Sequence, residues 1–136
     1  MPSYVRCYWK GWLGLLILFL AIAAFAPKLR FEAFITYAVL AWGSVMVINL
    51  YEGRKLISHL RAKHLKIWEH ITSGPGFGPG GVNGLRCLAF VYGPEDFDDQ
   101  QVKELKLNYR RVVRFAVIVF FSFIPTFIGV ALICGN

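Results

Sequence analysis

Three histidines, His59, His64 and His70, and three cysteines, Cys7, Cys87 and Cys134, are the residues of this chain best suited to ligating a metal or carrying a nucleophile. Their spacing argues against both. Metal pairs on one helix are placed three or four residues apart, whereas these histidines are separated by five and six. A site joining two of them to Glu69 or Cys87 remains open, but surface imidazoles are the plainer reading. None of the histidines falls in an apolar block, which leaves no bis-histidine arrangement for a membrane haem. The cysteines form no C-x-x-C pair and imply no disulfide framework. No base is placed beside Cys87, and the adjacent Ser58 and His59 would point in different directions on a helix. Gly76-x-Gly78-x-x-Gly81 formally matches a dinucleotide fingerprint. It lacks the preceding strand, and Pro79 with the following glycines denies it a helix. No catalytic, cofactor-binding or metal-ligating residue is assigned, and the expectation is a protein that is not an enzyme.

The elements that would position these groups are set by an excess of apolar residues. They make up 57% of the 136 residues, against about 45–50% in soluble domains. The excess falls into three blocks with the charges between them. Gly11–Ala26 is slightly short of the ~20 residues that span a bilayer, but Tyr8 and Trp9 extend it and Lys10 can snorkel. Ala33–Leu50 and Phe115–Cys134 carry no charge and are long enough as they stand. The first block also resembles a secretory signal ending in Ala24-Phe25-Ala26, but Pro27 directly after the cut disfavours cleavage, so retention as a span is expected.

Three spans place the N-terminus and the 51–114 connection on one side. That side holds thirteen of the fifteen Lys and Arg residues, which the positive-inside rule assigns to the cytoplasm, with the C-terminus outside. Arg54, Lys55, Arg61, Lys63 and Lys66 follow the second span, and Lys103, Lys106, Arg110, Arg111 and Arg114 precede the third. Clusters so close to the bilayer are expected to contact anionic lipid headgroups, at roughly 1 kcal/mol per charge near the surface. No nucleic-acid module accompanies them, so nucleic acid is not an expected partner.

Between the spans the pattern is amphipathic. Leu56, Ile57, Leu60, His64, Ile67, Trp68 and Ile71 recur at helical steps, with no Pro or Gly from Arg54 to Ser73, so one helix could run through or bend near Gly53. Val102, Leu105, Tyr109, Val112 and Val113 form a second stripe leading directly into the third span, and Asp96, Asp98 and Asp99 suit a helix start. The two stripes are expected to face each other, with flat packing on headgroups as the alternative. The tip, 73–84, holds six glycines and two prolines and is expected to be a flexible turn, with an open loop that offers Phe77 to a partner as the alternative. Residues 85–92 suit a strand or a short helix. The expectation is thus an all-α membrane protein of three transmembrane helices with a cytoplasmic amphipathic helical hairpin between spans 2 and 3. Its segments are a transmembrane hairpin at 1–50 (spans about 9–27 and 33–50), a basic arm at 51–111 and a C-terminal span within 112–136.

No Asp, Glu, Lys or Arg lies inside the spans, which argues against ion or proton transport by this chain alone. Pro125 should kink the third helix, with Ser122 or Thr126 helping to satisfy the freed carbonyl. Gly14, Gly43, Ser44, Pro125 and Gly129 are the expected contact points for partner helices.

From about Val47 onward the chain resembles the universal stress protein B family of bacterial membrane proteins. The resembling residues are Asn49-Leu50-Tyr51, Leu60-Arg61, Ile67 through Ile71, Gly76-Phe77-Gly78, Leu88 through Tyr92, Asp98-Asp99, Arg110-Arg111 and Phe115. The resemblance implies a small protein of the bacterial inner membrane with a basic cytoplasmic segment between its last two spans, in a family associated with stress survival. The additional N-terminal span departs from that pattern. The leading functional expectation is a non-catalytic accessory or scaffolding subunit, packed on other membrane proteins or on copies of itself. The alternatives are a free-standing stress-related protein that binds anionic lipid through its arm, and a small metal- or ligand-binding membrane enzyme built on His64, His70 and Cys87. No cofactor is expected.

Overall fold

The computed structural model describes residues 3–73, 82–95 and 97–134, with side chains at 5–73, 82–95 and 97–132. The Gly- and Pro-rich tip from 74 to 81, Asp96 and the terminal Gly135-Asn136 lie outside the described residues. Among those described, the regular elements are five α-helices and one 3-10 turn: α1 (Ser3–Phe25), the turn Pro27–Leu29, α2 (Arg30–Lys63), α3 (Leu65–Thr72), α4 (Gly84–Tyr92) and α5 (Gln100–Cys134). Residues 85–92, open between strand and helix, are helical. Three of the helices, α1, α2 and α5, are long and apolar enough to cross a membrane, which marks the chain as a membrane protein. At ~1.5 Å per residue the 34 residues of α2 reach about 51 Å, well beyond the ~30 Å hydrocarbon core.

The chain divides into two compact units, Met1–Val47 with Arg114–Asn136, and Ile48–Val113. The first is held by aromatic contacts. Tyr37, 2% exposed, stacks on Phe19 at 5.0 Å between centroids, meets Phe123 at 5.3 Å, and accepts a hydrogen bond from Trp12 Nε1 at 3.2 Å. Trp9 meets Phe115 edge-on at 5.0 Å. Pro27 opens the 3-10 turn, where its missing N–H costs nothing, and Arg30 Nε donates to the Ala23 carbonyl at 2.7 Å. Inside α5, Pro125 frees the Phe121 carbonyl. The nearby hydroxyls bond other acceptors: Ser122 the carbonyl of Val119, and Thr126 those of Ser122 and Phe123.

The second unit has a core of a different kind. Leu56, Leu60, Ile71, Cys87, Phe90, Val91 and Val102 form one buried cluster drawn from α2, α3, α4 and α5. Here the sequence expectation of a helix running through Arg54–Ser73 gives way to two helices. The chain passes Gly53 without interruption and breaks instead at His64, with φ −132° and ψ 58°. In an unbroken helix Ile71 would lie about 16 Å along the axis from Leu60. The break brings both into the same cluster. Trp68, packed against that cluster, also receives the Arg61 guanidinium over its ring at 5.3 Å.

Side-chain hydrogen bonds fix the short helices. Asn83 Oδ1 caps α4 by accepting from Arg86 N–H at 3.2 Å, and Asn83 N–H donates to the Ile71 carbonyl at 2.9 Å. Arg86 donates to the carbonyls of His70 and Ser73, which terminates α3. At the end of α4 the backbone crowds Gly93, where an added Cβ would come within 3.0 Å of the Ala89 carbonyl oxygen.

Candidate functional site: one carboxylate shared by two histidines

Asp99 caps the start of α5. Its Oδ1 accepts from the N–H of Gln101 at 2.9 Å and of Val102 at 3.4 Å, satisfying donors that a helix start leaves unpaired. The other oxygen, Oδ2, meets His59 Nε2 at 3.0 Å and His64 Nε2 at 3.1 Å. The carboxylate thus has one oxygen for the helix and one for the imidazoles. The surrounding side chains are largely but not wholly covered: His59 is 9%, Asp99 17% and His64 19% exposed. The two imidazoles, donating together, hold the Asp99 carboxyl well below the usual carboxylate range, with the α5 N–H groups adding to the effect.

The backbone before Asp99 is strained. Phe97 and Asp98 adopt φ of 53° and 54°, the left-handed region that a bulky residue rarely occupies. The conformation sets the Phe97 ring against His64, stacked at 4.8 Å, and against Phe90 at 6.3 Å. One side of the His64 ring therefore rests on an aromatic wall while its Nε2 faces the carboxylate.

A second polar arrangement surrounds the end of α4. Lys106, only 3% exposed, donates to the carbonyls of Gly93 at 2.9 Å and Glu95 at 2.6 Å, and lies 4.4 Å over the Phe90 ring. Arg110 donates to the Val91 carbonyl at 2.6 Å and to Gly93 at 3.3 Å. Two cations thus meet the negative end of a helix dipole. Glu52, 3% exposed, pairs with Lys55 at 3.3 Å. Cys87 lies in the apolar core, where burial pushes its thiol up to about 11 and keeps it protonated at neutral pH. It also lines a cavity of about 170 Å³ beside Gly53, Ser58 and Tyr109.

The residues singled out by sequence are distributed unevenly. Arg54, Lys55, Arg61, Lys63, Lys66 and Arg114 are exposed, and Lys103, Arg110 and Arg111 are half-buried. Lys106, grouped with the headgroup-facing cations by its position before the third span, instead turns inward to the two carbonyls. Its burial is the price of closing α4 without a left-handed glycine. At Gly14, Gly43 and Gly129 an added Cβ would meet nothing within 4 Å, so these notches are not filled by the chain's own described residues. Ser44 and Pro125 are exposed.

The combination of His64, His70 and Cys87 is not brought together. Among the described residues, the grouping with metal-ligand geometry is His59, His64 and Asp99, whose ligand atoms all lie within 4.8 Å of one another. Sequence spacing misses it because residues five apart diverge by about 140° on an unbroken helix, and no Gly or Pro marks the break at His64. The acidic step at Asp98-Asp99 does signal the α5 start, though not the second use of Asp99. No family model, curated protein or solved structure was found to match this chain.

Proposed function

We propose that this chain is a non-catalytic accessory or scaffolding subunit of a larger membrane assembly. It would lie in a bacterial inner membrane with its N-terminus and the 48–113 unit in the cytoplasm and its C-terminus outside. The observation that carries this reading is how little of each apolar helix the chain covers itself. Only 6%, 11% and 17% of the best apolar windows of α1, α2 and α5 are buried, while Gly14 and Gly43 leave open notches on the first two. Small residues at such surfaces let another helix backbone approach closely. The folded 48–113 unit gives the membrane helices a structured attachment, and the thirteen basic residues on the proposed cytoplasmic side favour that orientation. The resemblance to the universal stress protein B family supports the same location.

Purification in mild detergent through a tag on the C-terminus, followed by native mass measurement, tests the proposal. A fixed ratio to a larger membrane protein is expected. A 15.4 kDa species alone sinks it. The second reading, a free-standing stress-related protein bound to anionic lipid, draws on the exposed Arg54, Arg61, Lys63 and Lys66. It is favoured by tighter association with anionic than with neutral vesicles that weakens steeply with salt.

A further inference from the structure

We infer that His59 Nε2, His64 Nε2 and Asp99 Oδ2 form a binding site for one divalent transition-metal ion of the zinc or ferrous class. Bonds of ~2.0–2.1 Å to a tetrahedral ion place its ligand atoms about 3.3 Å apart. The two imidazole nitrogens already lie 3.0 and 3.1 Å from the carboxylate oxygen, and all three atoms fall within 4.8 Å. Side-chain rotation closes the remaining gap. Two nitrogens and one oxygen suit zinc or iron rather than calcium or magnesium, which take oxygen ligands. The Cys87 thiol is withdrawn from such chemistry, because it is built into the apolar core.

Two of the three ligands are oriented by groups outside the trio. Asp99 cannot swing away without giving up its bonds to Gln101 and Val102, so Oδ2 is presented while Oδ1 is occupied. His64 is stacked on Phe97, which is held in place by the left-handed backbone at Phe97 and Asp98. Strain of this kind is retained where the surroundings demand it. Outer contacts that fix ligand orientation are a regular part of metal sites. Ligation through Nε2 requires each ring to carry its remaining proton on Nδ1. Partial exposure of all three side chains leaves water a route to the fourth position. An ion held there joins the end of α2 to the first turn of α5, forty residues along the chain.

The test uses the full chain in mild detergent, purified with a tag free of histidine and stripped by chelator. Zn²⁺ is titrated in competition with a chromogenic chelator, and Co²⁺ is followed by its visible absorption. One equivalent per chain is expected. Asp99→Asn, which retains a good cap, and His59→Gln should each weaken Zn²⁺ binding at least tenfold. His70→Gln should leave it unchanged, since His70 is exposed and outside the trio. Hydrogen exchange across 84–92 verifies that each variant keeps its fold. Absence of stoichiometric binding by the wild-type chain overturns the inference. So does full affinity in Asp99→Asn and His59→Gln, or an equal loss in His70→Gln. The titration is independent of co-purifying proteins, so it stands or falls separately from the subunit proposal.

Discussion

The two units of this protein solve opposite problems. In the membrane-helix unit, rings pair with rings and most apolar side chains stay uncovered: Ile17, Leu18, Val39 and Leu132 are each more than half exposed. In the 48–113 unit, short helices close on a core in which Leu56, Leu60, Ile71, Val91 and Val102 are fully buried. The difference is the one expected of a first unit in lipid and a second in water. Lipid takes no penalty from exposed leucine, so the first unit needs little interior, and its backbone is satisfied within long helices. Water drives the second to bury its stripe and obliges every helix end to find a partner. Asn83, Arg86, Asp99, Lys106 and Arg110 are those partners.

The sharpest way to break this contrast is to remove the same side chain from each unit. Leu60→Ala, at a fully buried position, should destabilise the 48–113 unit by about 2–5 kcal/mol. Leu18→Ala, at a position 57% exposed, should change the stability of its own unit by less than about 0.5 kcal/mol. Hydrogen exchange in detergent, read separately over 84–92 and over α1, measures both, and equal losses would abolish the distinction. Next in size is Lys106→Met, which strips the Gly93 and Glu95 carbonyls of their charged donor. A loss of about 1–3 kcal/mol is expected, against none for the exposed Lys63→Met, both by thermal unfolding of the full chain.

A smaller effect is expected from acid. The folded-state carboxyl of Asp99 titrates below its unfolded value, so its stabilising contribution is complete above the unfolded value, near pH 4. It is lost as pH falls from there toward the depressed folded value. Without metal, exchange protection over 84–92 should fall more between pH 6 and pH 3 in the wild-type chain than in Asp99→Asn. Parallel curves would show that the shared oxygen contributes nothing. A small effect is also expected of Gly43→Ala, whose new methyl meets open space. It should leave the purified chain's stability within about 1 kcal/mol, whereas Gly43→Leu should lower the yield of any co-purifying subunit.

The membrane helices were legible because a charge-free run of 18 or 20 residues has one physical use. The direct passage of the second amphipathic stripe into the third span was legible for a similar reason: nothing between Gln100 and Ile124 interrupts a helix. The break at His64 was not, because it is imposed by what Ile71 must reach and not by any residue at the break. The inward turn of Lys106 was equally hidden. A lysine before a span reads as a surface charge until the carbonyls at the end of α4 are known to lie beside it. The His59–His64–Asp99 grouping combines both difficulties, since it needs the break and also a residue forty positions away.

The left-handed pair at Phe97 and Asp98 also limits how this gene can drift. Phe97 and Asp98 set the approach to the α5 start by their number as well as by their conformation. One codon gained or lost there would move Asp99 from its place at the helix start and turn the carboxylate away from both rings. Substitutions toward glycine or asparagine at 97 and 98 would relax the backbone at no cost in length. A change of length along this segment is therefore expected to disturb the shared carboxylate more than a replacement does.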